Sequence, residues 1–101
     1  MAVYTWDSLK MAEYERGEWG TVIFPNNWGV HVSRYGGKGV TVYKRSKGFS
    51  QGLYEVAVID YNLGPRPGSG VTDVPIGFCT KADVLELMHR VASLPYLDPD
   101  L

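Results

Sequence analysis

The sequence predicts an α+β fold: an antiparallel sheet of four or five strands with one C-terminal amphipathic helix packed on a face. Three stretches carry this expectation. Residues 28–34 alternate, with Trp28, Val30 and Val32 on one side and Gly29, His31 and Ser33 on the other, the pattern of a half-buried strand. Residues 53–61 form an apolar run on both sides, Tyr54, Val56 and Val58 on one face and Leu53, Ala57 and Ile59 on the other with Glu55 the one charge among these, which marks a strand covered above and below. Val84, Leu87, Met88 and Val91 recur at helical spacing behind Thr80-Lys81-Ala82-Asp83, a capping box with Asp in the place of Glu or Gln.

The remaining elements follow in chain order. Residues 5–15 read as a short N-terminal helix, capped by Thr5 or Asp7 and ended by Gly17 and Gly20. A strand is expected at 21–24, then a turn at Pro25-Asn26-Asn27, where proline fixes one dihedral and asparagine tolerates a left-handed one. After strand 28–34 the glycine-rich stretch 35–39 turns into a strand over 40–44, and the two strands are expected to pair as a hairpin. Residues 45–51 form a basic loop. The prolines and glycines of 64–70 specify a surface loop. An edge strand is expected over 71–78, the one sheet position where Pro75 is tolerated. The helix runs over about 81–93 and stops before Pro95. The 101 residues form one domain with an acidic, proline-containing tail at 95–101.

Charge is sorted along the chain. From Trp19 to Tyr54 there are five cations (Arg34, Lys38, Lys44, Arg45, Lys47) and no Asp or Glu, whereas residues 1–18 carry four acids against two bases and residues 55–101 seven against three. A net charge of −1 thus conceals a positive block that can steer an anionic partner. Tyr35, Tyr43 and Phe49 lie among the cations. Cations beside flat rings suit phosphate contact with base stacking, and they suit an acidic protein surface equally. The plainer alternative is a solvated edge that resists strand addition. Acidic flanks favour a protein over a nucleic acid, because nucleic-acid-binding domains carry a clear positive excess. Trp6, Trp19 and Trp28 exceed what a small core needs at its centre, so one or more is expected at an interface.

Other chemistries find little support. The glycine-rich loops lack the phosphate-loop spacing and lead into no helix. His31, His89 and Cys79 have no metal-ligand spacing. Cys79 precedes a helix, where a thiol can be activated by a histidine, yet a small apolar residue at a strand-to-helix turn is the simpler reading. No enzyme activity, cofactor or metal is expected. A single cysteine, no signal-peptide pattern and no apolar run long enough to span a bilayer give a cytoplasmic expectation with no membrane partner.

Three motifs resemble those of small uncharacterised proteins encoded by tailed bacteriophages and prophages. Residues 24–32 (Phe-Pro-Asn-Asn-Trp-Gly-Val-His-Val) are similar to their Phe-Pro-Asn-Gly-Tyr-Gly-x-Ser-Val opening. Gly52-Leu53-Tyr54-Glu55-Val56-Ala57-Val58 resembles their Gly-Leu-Tyr-Glu-Leu-Ala-Val, and residues 71–78 resemble a Thr-x-Asp-Val-Ile-Gly-Tyr segment before a closing helix. Asn27, Trp28 and Pro75 depart from those patterns, and the connection over 34–50 is longer and more basic. The resemblance implies origin and setting, the cytoplasm of a bacterial host, and no activity. The expected function is a phage-type accessory protein that binds an acidic host or phage protein, such as a defence or gene-expression factor. Its contact set is Trp28, Arg34, Tyr35, Lys38, Tyr43, Lys44, Arg45 and Lys47. The alternative is nucleic-acid binding through the same ribbon. Self-association through a strand edge is compatible with either.

Overall fold

The computed structural model of the chain describes residues 3–37, 39–41 and 44–100. It is an α+β fold built on a five-stranded antiparallel sheet. The strands are β1 (Ala12–Tyr14), β2 (Gly17–Ile23), β3 (Trp28–Tyr35), β4 (Tyr54–Asp60) and β5 (Ile76–Cys79), followed by helix α1 (Lys81–Ala92). Spatial order equals chain order, so each strand pairs with its sequence neighbours. Short 3-10 turns stand at Trp6–Leu9 and Phe49–Gln51.

Strand parity divides the sheet into two faces. Trp28, Val30 and Val32 of β3 share a face with Val22 of β2 and with Tyr54, Val56 and Val58 of β4. Onto it α1 lays Val84, Leu87, Met88 and Val91, all buried and all anticipated from the helical stripe. The capping box closes as the sequence required: Thr80 Oγ1 accepts from the Asp83 N–H at 3.1 Å, and Asp83 Oδ2 accepts from the Thr80 N–H at 3.0 Å. The N-terminal segment covers the rest of this face, with Leu9 buried and Trp6 edge-on to Tyr54 at 4.8 Å. Gly20 makes that approach possible, since a Cβ there would lie 2.5 Å from the Leu9 carbonyl oxygen.

The turn between β2 and β3 is also a clasp for the C-terminal tail. Asn27 takes the left-handed conformation (φ 69°) that asparagine tolerates. The Asn26 amide donates to the carbonyls of Val91, in the last turn of α1, and of Leu94, just beyond it. Asn27 Nδ2 donates to the Leu97 carbonyl, the Leu97 N–H donates to the Asn26 carbonyl, and the Trp28 indole N–H donates to the Pro95 carbonyl. The tail is thereby tied to the domain by side chains and backbone of residues 26–28, and further along by the Tyr61 hydroxyl, which donates to the Pro99 carbonyl.

Three sequence expectations need correction. Residues 5–15 are not one helix: the 3-10 turn at Trp6–Leu9 is stopped by Lys10 in the left-handed region (φ 51°), and β1 follows. The edge strand is confined to Ile76–Cys79, because Ser69 and Asp73 side chains accept from backbone N–H groups at Val71 and Gly68 and hold 68–73 in a turn. The third correction bears on the site. No strand forms among the described residues of 40–44, and β3 pairs instead with β2 on one side and β4 on the other. β4 buries far more apolar surface than 40–44 could, so it wins the edge of β3 that the expected hairpin needed. Beyond Ser33, where β4 stops pairing, Ser46 continues the ladder among the described residues. Its N–H donates to the Tyr35 carbonyl at 2.7 Å, and its hydroxyl accepts from the Tyr35 N–H at 2.9 Å.

Candidate anion-binding cleft

The face of the sheet opposite α1 carries the other parity. Trp19 of β2, Ser33 of β3 and Glu55 of β4 stand in one cross-strand row, and Thr21, His31 and Ala57 stand in the next. The irregular connection between β3 and β4 folds over the end of this face. Together they enclose a cleft of about 620 Å³ with Trp19, His31 and Ser33 on the floor, Tyr35 and Glu55 at the sides, and Lys44, Arg45 and Lys47 on the loop wall.

The loop wall is fixed from below. Glu55 Oε2 accepts the Lys47 backbone N–H at 2.7 Å, and the Lys47 carbonyl accepts the Phe78 N–H at 3.0 Å. Gly77 permits the crossing, because a Cβ at that position would stand 2.1 Å from Lys47 Cβ. The Ser46 hydroxyl also meets Ser33 Oγ at 2.9 Å. The backbone of the loop is thus tied to β3, β4 and β5 while the side chains of Lys44, Arg45 and Lys47 stay in solvent. None of these three forms an ion pair with a carboxylate among the described residues, where the pairs are Arg34–Glu18 and Arg66–Asp60.

Aromatic rings continue the floor. Tyr14 stacks on Trp19 with centroids 3.8 Å apart and planes 9° from parallel, and Tyr35 meets Trp19 edge-on at 5.8 Å. Burial pushes the His31 imidazole below its ordinary value of 6.5, with nearby Glu55 pulling partly the other way. Its Nδ1 is 3.1 Å from Thr21 Oγ1. A neutral imidazole leaves the three loop cations and Glu55 as the formal charges lining the cleft at neutral pH among the described residues.

The lowered His31 value has a stability consequence. The unfolded chain takes up a proton near pH 6.5 that the folded protein refuses, so stability rises with pH through this window. The contribution is fully present above pH 6.5 and is lost as pH falls from there towards the folded value. Melting temperatures taken between pH 7.5 and 5.0 are expected to fall, and His31→Gln is expected to flatten that fall. An equal slope in the variant would assign the acid sensitivity to other groups.

Of the residues singled out in the sequence, the structure brings Tyr35, Lys44, Arg45 and Lys47 to the cleft. Arg34 lies on the opposite face, its Nε 3.7 Å from Glu18 Oε1 and its guanidinium 5.4 Å from the centre of the Phe49 ring. The same Glu18 accepts from the Tyr54 hydroxyl at 2.8 Å; burial first and that bond second push the Tyr54 phenol up to about 12. Trp28 is 7% exposed and belongs to the core, so it is removed from the contact set. Lys38 and Tyr43 fall outside the described residues. Trp19 is the tryptophan that lines the cleft. The sequence reading left His31, Ser33, Ser46 and Glu55 out of the contact set, although the parity of 28–34 already put His31 and Ser33 on the polar face. Cys79 is buried, and burial, then Asp83 and Glu55, push its thiol up, which disfavours a thiolate nucleophile.

No cluster of three or more His, Cys, Asp or Glu suited to a metal occurs among the described residues, and no helix among them is long and apolar enough to cross a membrane. Comparison with protein-family models, with curated proteins and with solved structures finds no match.

Proposed function

We propose that this is a non-enzymatic binding module, of the phage accessory type that its three motifs resemble, which holds an acidic surface of a protein partner in the cytoplasm of a bacterial host. One observation carries the reading: Lys44, Arg45 and Lys47, without carboxylate partners among the described residues, share a cleft with Trp19 and Tyr35. Cations around partly desolvated rings supply both steering and anchoring in protein interfaces. The loop backbone is tied down at Ser46 and Lys47, so little ordering entropy opposes binding.

The test is charge reversal. The combined variant Lys44→Glu, Arg45→Glu and Lys47→Glu is expected to recover its partner from host lysate at least about tenfold less well than the natural sequence, a loss of about 1.4 kcal/mol. Recovery should also fall for the natural protein as salt rises. Undiminished recovery by the reversed variant would remove the cleft from the contact.

A second reading has its own support. Tyr14, Trp19 and Tyr35 come from three adjacent strands and form a strip of rings on the open face, a platform on which bases of a single strand could stack. Mobility shift of single-stranded DNA and RNA at low salt tests it, and the absence of a shift there ends it.

A further inference from the structure

We infer that the cleft takes a linear acidic segment bearing an aromatic side chain, with the ring seated against Trp19 and Tyr35 and its carboxylates on Lys44, Arg45 and Lys47. The inference rests on the acidic-partner reading and goes beyond it in naming what the segment must present.

The indole of Trp19 supplies the first argument. Its directly opposite neighbours on β1 and β3 are Ala12 and Ser33, both small, so its own row leaves it uncovered. Tyr14 overlies one ring face and Tyr35 meets an edge, and the remaining surface opens into the cleft. Apolar ring surface in water gains from a flat apolar group and nothing from a carboxylate. A purely acidic ligand would satisfy the loop wall and leave the floor wet.

Charge placement supplies the second. Glu55 stands in the row of Trp19 and Ser33, beneath the loop. A partner carboxylate is repelled from that row and drawn to the three cations above it. The cleft therefore sorts its ligand: ring towards the sheet, acids towards the loop. A neutral His31 beside the ring site adds no competing charge at neutral pH.

Size supplies the third. A volume of about 620 Å³ accommodates a few side chains and not the flat surface of a folded domain. A short extended segment can place one ring and its flanking acids there at once.

The experiment uses fluorescein-labelled peptides and anisotropy with the full chain. The probes are Asp-Glu-Phe-Asp-Glu, the same peptide with Gly for Phe, and a labelled single-stranded oligothymidine. The Phe peptide is expected to bind at least about tenfold more tightly than the Gly peptide, as one buried ring anchor warrants. Trp19→Leu should erase that difference, while the surface change Arg45→Glu should weaken both peptides and leave the ratio intact. Since Trp19→Leu also removes the Tyr14 stack, its melting temperature is measured alongside; the Phe-to-Gly ratio in the natural chain and in Arg45→Glu decides the matter should that variant not fold. Equal binding of both acidic peptides would overturn the ring requirement and leave the acidic-partner reading standing. Failure of both peptides would overturn both. Tighter binding of the oligothymidine than of either peptide would assign the cleft to nucleic acid and likewise overturn both.

Discussion

Trp28→Ala is expected to cost about 3–5 kcal/mol, the range for truncating a large buried ring. That is a large part of the roughly 5–15 kcal/mol that holds a domain of this kind together. The indole is buried with the core of β3 and β4, and its N–H reaches the Pro95 carbonyl at 3.1 Å. Removing it opens a cavity between sheet and helix and takes away one of the hydrogen bonds that hold the tail. Trp28→Phe separates the two effects: it restores much of the volume but drops the hydrogen bond, a loss of about 1 kcal/mol. Urea denaturation with constant slope would measure both. A loss under about 1 kcal/mol for the alanine variant would mean that the tail and the ring are not packed as described.

Gly77→Ala is expected to damage binding as severely as reversing the loop charges, although Gly77 carries no charge itself. The new Cβ would fall 2.1 Å from Lys47 Cβ, and Lys47 is held on either side by Glu55 and by the Phe78 N–H. The loop wall has to lift off β5, and the three cations lose their common position. Strain of this kind costs about 1–3 kcal/mol of stability, less than the core truncation. The variant should keep its far-UV circular dichroism and lose partner recovery. Retained recovery would show that the loop reaches its partner without help from β5.

Local periodicity made most of the architecture legible. β3 announces itself by alternation, β4 by apolar residues on both sides, and α1 by its stripe and capping box. What was not legible is competition between distant segments. Residues 40–44 alternate acceptably, but nothing local says that β4 will take the edge of β3 or that one serine will complete the ladder. Two misplacements could have been avoided by parity alone. Trp28 and Arg34 are in step with Val30 and Val32, so both belong to the helix side, while Tyr35 is in step with His31 and Ser33. The charge segregation also survives only partly in space. Register returns Glu18 to Arg34 and Glu55 to Ser33, each from an acidic flank, so the block of five resolves into a loop trio, a paired arginine and Lys38 outside the described residues.

The clasp between the β2–β3 turn and the tail joins positions 65 to 71 residues apart, from Asn26–Val91 to Asn26–Leu97. Every strand pairing, by contrast, links consecutive strands. During synthesis the sheet can therefore assemble in order as the chain leaves the ribosome, whereas the lid over the Trp28 indole cannot close until Pro95 and Leu97 have emerged. A chain that stops before Pro95 is expected to hold the whole sheet with the Trp28 indole N–H still without its carbonyl partner, the kind of incompletely packed species that exposes apolar surface. Completion of the core around Trp28 is in this way tied to the arrival of residues 91–97, the last contacts that the β2–β3 turn makes in chain order.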